Sequence, residues 1–192
     1  MRQTIGQPLQ IPVKNRQQCK KQLRTGKQCA CKVSPGDLDY CKRHQPLSNL
    51  QIDYEKEGWC VSGQNVTAAM AALQPEYCFD LDLGLDSFYA FVMHDPDAPV
   101  AKAKGNSHLH WLTVNIDDSE DVIQSYRGPA PPARSGVHHY IFSLLKQRDP
   151  IDKSTVNELR IKYEDRSNFN YEEFKQDFNM EEVEKTYFTV ST

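Results

Sequence analysis

From Trp59 onward, hydrophobic positions fall in short runs separated by polar, turn-rich stretches, a rhythm of strands rather than of amphipathic helices. SFYAFVM (87–93) is a nearly continuous apolar run, as expected of a strand covered on both faces. HWLTVNI (110–116) and HYIFSLL (139–145) are rich in β-branched and aromatic residues and are flanked by polar turns. These three segments are predicted to lie centrally in one sheet. Helical signals come late. In STVNELRIKYE (154–164), Thr155 with Glu158 three residues on has the form of a capping box. In FNYEEFKQDF (169–178), Asn170 is a candidate N-cap, Glu173 sits at the third helical position, and Phe169 and Phe174 are spaced to staple the entry. Tyr171, Phe174 and Phe178 then share one face, which is predicted to pack on the sheet.

Length and composition narrow the classes. The 192 residues suffice for one ordinary domain with a small appendage. No apolar stretch is long enough to span a bilayer, and MRQTIGQPLQ lacks the apolar centre of a signal peptide, so the expectation is a soluble, cytoplasmic protein. In that reducing compartment the six cysteines are expected as thiols or metal ligands before disulfides. The net charge of −3 hides a lopsided distribution. Residues 1–48 hold ten Lys and Arg against two Asp, while the remainder is strongly acidic. Such a basic block either contacts something acidic, nucleic acid included, or stays solvated; no groove-reading helix or stacking platform is evident in it.

Cysteines sharpen the picture of that arm. CKKQLRTGKQCACKVSPGDLDYCKRH (19–44) supplies Cys19, Cys29, Cys31, Cys41 and His44, ending in a Cys-x-x-His pair. Two soft donors at that spacing can reach one tetrahedral ion, and two more from the preceding loop close a structural zinc site. A segment this short and polar buries too little apolar surface to fold alone, so metal binding would supply the missing free energy. Five candidates compete for four places. The pattern resembles a short Cys-Cys-Cys-His element, with Arg24-Thr25-Gly26-Lys27 at its turn, that recurs as an appendage in proteins of large DNA viruses and some microbes. By that resemblance Cys19, Cys29, Cys41 and His44 are the zinc ligands and Cys31 is spare. HQPLSNLQ (44–51) reads as a linker, dividing the chain into a Cys/His segment (1–48) and a main domain (49–192).

Polar residues at the strand ends carry the functional argument. In FVMHDPDAPV (91–100) an apolar run stops against two aspartates and two prolines, Asp95 following directly. His110 opens the next strand, and GVHHY places His138 and Tyr140 at the start of a third. Between the last two lies YRGPAPPARSG (126–136), a Gly/Pro-rich loop that permits close backbone approach and holds a stiff shape. If these ends share an edge, two imidazoles, a carboxylate and a phenol converge beside loop amides. Such a pocket suits a small anion, with histidines and N–H groups donating to phosphate oxygens and the carboxylate orienting a histidine or receiving an ammonium. Taken singly, Asp-Pro-Asp-Ala-Pro is an ordinary turn, and His94 and His108 read as structural or solvated.

The ordered combination of DPDAP, HWLTVNI, YRGPAPPARSGVHHY and NFNYEEFKQDF resembles the phosphatidylethanolamine-binding proteins from about residue 50 to near the end. The resemblance implies a mainly β fold, with a large central antiparallel sheet packed against a smaller one and a few peripheral helices. It implies a shallow pocket for phosphate-like anions or the phosphatidylethanolamine head group, lined by Asp95, His110, His138 and Tyr140 with Gly128, Ala130 and Pro132 as its loop wall. Asp97 would support the pocket from behind. Three positions depart from the family's habit: Leu109 where a first histidine of a pair is common, His139 where Arg is common, and Ala130 where Gly is common. If the usual Arg braces Asp97, His139 makes that brace weaker and pH-dependent.

Carboxylate and histidine together permit acid–base chemistry, and three such ligands permit a metal. Neither GVHHY nor DPDAP contains an obvious nucleophile, however, and Ser135 lacks the strand–turn–helix elbow of a hydrolase serine. The resemblance points to a non-enzymatic protein that regulates a signalling kinase or a protease by binding. The alternative gives the main role to the zinc arm, as an adaptor for nucleic acid or an acidic protein, with the sandwich as scaffold.

Overall fold

The computed structural model describes residues 50–54, 58–79, 88–116 and 120–192. The predicted zinc ligands Cys19, Cys29, Cys41 and His44, and the basic arm that holds them, lie outside the described residues.

In chain order the strands are β1 (Leu50–Tyr54), β2 (Trp59–Cys60), β3 (Asn65–Val66), β4 (Glu76–Phe79), β5 (Phe88–Asp95), β6 (His108–Ile116), β7 (Asp121–Gln124), β8 (Val137–Gln147) and β9 (Glu181–Ser191). The helices are α1 (Pro99–Ala103), α2 (Lys153–Lys162) and α3 (Tyr171–Asp177). The architecture is mainly β, in two sheets. Strands in the order β2-β1-β4 form the smaller one, and β3-β9-β8-β5-β6-β7 the larger. All pairings are antiparallel except the short β3 against β9. The three apolar runs read from the sequence are β5, β6 and β8, adjacent at the centre of the large sheet.

The large sheet is apolar on both faces, which explains the nearly continuous hydrophobicity of β5. One face packs on the small sheet through Phe91, Met93, Trp111, Phe142 and Phe188 against Ile52, Tyr54 and Tyr77. Tyr77 stacks on Phe91 with ring centroids 4.1 Å apart. The other face, with Val92, Leu112, Val114 and Leu145, is covered by α2 and α3 through Val156, Leu159 and Phe174. Full burial of each such side chain contributes about 1.5–3 kcal/mol, so both layers are needed to hold the central strands.

Helix α3 starts as predicted: Asn170 is the N-cap and accepts the Glu173 N–H, and Phe169 lies against Phe174 at 5.7 Å. Helix α2 corrects the predicted capping box. It begins at Lys153 with Asp152 as N-cap, whose carboxylate accepts the N–H groups of both Ser154 and Thr155. A charged acceptor satisfying two orphan donors displaces the start by about one turn, and Thr155 donates its own hydroxyl to Asp152.

Antiparallel order positions the functional residues. The last residue of β5, Asp95, lies opposite His108 at the start of β6, and His94 lies opposite Ile141 near the start of β8. Three strand ends therefore meet at one edge. A β-bulge adds to this. Met93 pairs with Trp111 but His94 with Leu109, leaving His110 as the extra residue on β6. The bulge re-aims local side chains: His110 and Trp111 both fall on the face shared with Asp95, while Leu109 goes to the opposite core.

Candidate functional site: an anion-sized cavity at the strand edge

Asp95, His110, His138, Tyr140, Gly128, Ala130 and Pro132 all line one cavity of about 220 Å³. The same wall includes His108, Arg127, Ser167 and the start of α1. Asp97 and His139 are absent from it. They stand behind, where His139 Nδ1 is 2.7 Å from Asp97 Oδ2 and the His139 backbone N–H donates to that same oxygen. Burial pushes the Asp97 carboxyl up, but the hydrogen bonds from His139 and Lys102 outweigh it and hold the group below the usual range.

The Asp-Pro-Asp-Ala-Pro turn fixes Asp95. Pro99 is the first residue of α1, where a missing N–H costs nothing. Asp95 Oδ1 accepts the Asp97 N–H at 2.8 Å, and Oδ2 receives His138 Nδ1 at 2.7 Å. Both residues are buried. A carboxylate only accepts, so Nδ1 donates to it; Ser135 Oγ lies 2.8 Å from Nε2 and donates its own proton to the Pro132 carbonyl at 2.5 Å. Asp95 thus does both things open to it: it closes its own turn and it orients a histidine.

His110 presents a different surface. Its Nδ1 lies 2.7 Å from the Arg127 carbonyl, which can only accept, so Nδ1 donates. Burial lowers its pKa to about 3, with the charges of His108, Arg166 and Arg127 assisting and the carbonyl hydrogen bond opposing. At neutral pH the ring is uncharged and Nε2 is an acceptor. This corrects the expectation that both histidines donate to a phosphate. His110 instead presents an acceptor, and Arg127, which lines the same cavity and whose charge acts on His108 and His110, has no carboxylate partner among the described residues.

Tyr140 lies between these groups, its ring 5.0 Å from His110 and stacked on Phe188. Burial raises its pKa, and Asp95 adds to the effect, so the phenol stays protonated. Gly128 lines the cavity, yet its missing side chain serves a neighbour: a Cβ there would lie 2.8 Å from the Ala71 carbonyl oxygen.

Sequence reasoning missed three contributors. His108, two residues before His110 on the same face, is half-buried, and burial with the nearby Arg127 and Arg166 lowers its pKa. Period-two alternation along HLH would have found it. Arg127 had a signal only as a cation inside the loop. Arg166 donates to the carbonyls of Leu109 and His110 at 3.2 and 3.1 Å and to Ser125 at 3.0 Å, holding the bulge in place from a distant segment. Among the described residues no group of three or more His, Cys, Asp or Glu side chains is arranged to hold a metal ion, and no helix is long and apolar enough to cross a membrane.

The profile of the family described as phosphatidylethanolamine-binding protein matches residues 48–188. The chain belongs to this family. A 26 kDa secreted antigen of Toxocara canis is 24% identical over 153 residues, covering 77% of this chain and 58% of that protein. A protein named putative odorant-binding protein A5 of Drosophila melanogaster is 30% identical over 140 residues, covering 70% of this chain and 66% of its own length. The chain therefore spans roughly three-fifths to two-thirds of these relatives. Among solved structures, carboxypeptidase Y inhibitor, crystallised with its cognate proteinase, superposes with a TM-score of 0.60 at 21% identity, covering 74% of this chain and 82% of its own. That likeness establishes the phosphatidylethanolamine-binding-protein fold for the described domain, and relatives in the family are named as binding or inhibitor proteins.

Proposed function

We propose that the cavity binds a small phosphate-bearing head group that also carries a hydrogen-bond donor, of the phosphoethanolamine type, and that the protein acts by binding rather than by turnover. The observation that carries this reading is that one cavity is lined both by the cationic residue Arg127, whose charge acts on His110, and by His110 as a neutral acceptor. Arg127 offers planar donors suited to phosphate oxygens. His110 Nε2 accepts from an ammonium or hydroxyl, and Tyr140 donates. Asp95 supports the site by holding His138.

The membership of a protease inhibitor in the family supports a regulatory role in which the occupied or empty cavity rim docks on a partner such as a kinase or protease. A cytoplasmic location is part of the same reading, although one relative is named as secreted. The adaptor role for the Cys/His arm rests on its charge and ligand spacing. It predicts about one zinc per chain and nucleic-acid binding that weakens steeply with salt.

Calorimetric titration of the full chain with phosphoethanolamine and with inorganic phosphate tests the head-group reading. Phosphoethanolamine is expected to bind more tightly. Arg127→Ala is expected to weaken both ligands, and His110→Leu to remove the preference. Equal affinity for the two ligands in the wild type, or no binding by either, would overturn it.

A further inference from the structure

Outside the cavity, one hydroxyl has neighbours that its role as a loop residue does not require. Ser135 Oγ lies 2.8 Å from His138 Nε2, on the opposite side of the imidazole from Asp95. Serine, histidine and aspartate therefore form a continuous line, with the carboxylate and the imidazole buried and the serine partly open to solvent. Asp95 holds the Nδ1 proton, so a neutral ring presents Nε2 as an acceptor, the condition for an imidazole to act as general base toward a hydroxyl; the Ser135 hydroxyl, which rests on the Pro132 carbonyl at 2.5 Å, turns to Nε2 for the step. Such an arrangement is recognised by geometry and role, whatever the chain order.

A second observation concerns the backbone. Ser135 sits between Arg134, with φ of 62°, and Gly136, with φ of 94°. The two left-handed flanks make a sharp turn around Ser135, which is half-buried while Arg134 and Gly136 are exposed, and the non-glycine Arg134 carries the strain. Space does not demand a glycine at position 136, since an added Cβ would meet nothing within 4 Å; the backbone angle does. Hydrolase nucleophiles also sit on tight turns, although here the strain lies at the neighbour Arg134 and the turn leads into a strand rather than a helix. Of the three residues within hydrogen-bond reach of Ser135 Oγ, His138 and Pro132 line the cavity and Thr192 does not.

We propose that Ser135 is an activated nucleophile that forms covalent adducts with small activated carboxylic or phosphoric esters. In the step, Oγ bonds to the carbonyl carbon or to phosphorus, and the hydroxyl proton moves to His138 Nε2. The bond to the leaving group breaks, and that group departs with its electron pair, taking the proton from His138 when it is an alkoxide. The inference shares Asp95 and His138 with the head-group cavity, and covalent labelling of Ser135 distinguishes it from reversible head-group binding.

The test treats the full folded chain with a fluorophosphonate, whose phosphorus–fluorine bond breaks as the serine oxygen adds, and maps the adduct by peptide mass. The expected result is a single adduct on Ser135, absent in Ser135→Ala and formed about 100-fold more slowly in Asp95→Asn, as expected for loss of general-base assistance. No adduct on folded wild type, labelling spread over the serines of the chain, or an unchanged rate in folded Asp95→Asn would each overturn the proposal. If Asp95→Asn fails to fold, Ser135→Cys replaces it: thiol alkylation rates on either side of neutral pH report whether His138 withdraws the proton, and a rate matching that of a free cysteine overturns it.

Discussion

His94 and Asp95 are neighbours on β5 and equally buried, at 5% and 2% exposure, yet their surroundings are opposite. Asp95 faces the cavity with both carboxylate oxygens engaged. His94 faces the helical layer, stacked on Tyr171 at 4.6 Å, and neither ring nitrogen has a hydrogen-bond partner among the described residues. Burial lowers the His94 pKa to about 4, with Lys185 adding and Glu182 opposing. One strand thus carries a polar group that the fold supports and one that it only tolerates. Support marks the edge where three strand ends and a stiff loop converge. The unsupported histidine behaves as a flat filler between sheet and helix.

Breaking the supported side should cost most. Asp95→Ala leaves the Asp97 N–H and His138 Nδ1 without their buried acceptor, and a loss of about 3 kcal/mol is expected in chemical denaturation. Gly128→Ala comes next, at about 2 kcal/mol, because its Cβ would press on the Ala71 carbonyl and the Ala71–Ala72 backbone must move. A loss below a few tenths would show that this loop yields freely.

Acid sharpens the comparison from the other side. The folded-state pKa values of His94 and His110, about 4 and about 3, lie below the ordinary histidine value, so the unfolded chain binds more protons once pH falls below about 6.5. Stability is therefore expected to fall as pH drops, by up to about 1.4 kcal/mol per pH unit for each ring, levelling off below its folded value. His94→Phe should flatten the profile between pH 6 and 4 and leave stability at pH 7 equal or about 1 kcal/mol higher, since an aromatic ring keeps the stacking without buried nitrogens. Unchanged acid sensitivity in that variant would mean His94 does not carry the effect. The smallest change is expected from His139→Ala, under about 1 kcal/mol, because its pair with Asp97 is exposed and screened.

The same contrast explains what was legible in the sequence. The runs that became β5, β6 and β8 were visible because a strand buried on both faces is apolar throughout, and the Asn170 cap was visible because its chemistry is local. The two-sheet sandwich followed from family resemblance, since periodicity carries no information on how sheets stack. His108 was passed over because a lone histidine at a strand end reads as structural or solvated, although alternation along HLH puts it on the face of His110. The bulge itself depends on Arg166, some 56 residues away in the chain, and such a partner has no signature near β6. Leu109 stands where the family often has histidine, and it belongs to the helix-side core, so this departure leaves the cavity intact. The Asp152 cap was missed because a capping-box pattern one turn later had equally good local form.

The central claim is that His110 enters the cavity as a neutral acceptor beside a cationic Arg127. Nitrogen-15 NMR of the imidazole rings in the full chain at pH 7, recorded with and without phosphoethanolamine, tests it most directly. The account predicts a neutral His110 ring with its proton on Nδ1 and an unprotonated Nε2 whose resonance moves on ligand addition. A proton on Nε2 in the free protein, or an Nε2 signal unmoved at saturating phosphoethanolamine, would contradict it.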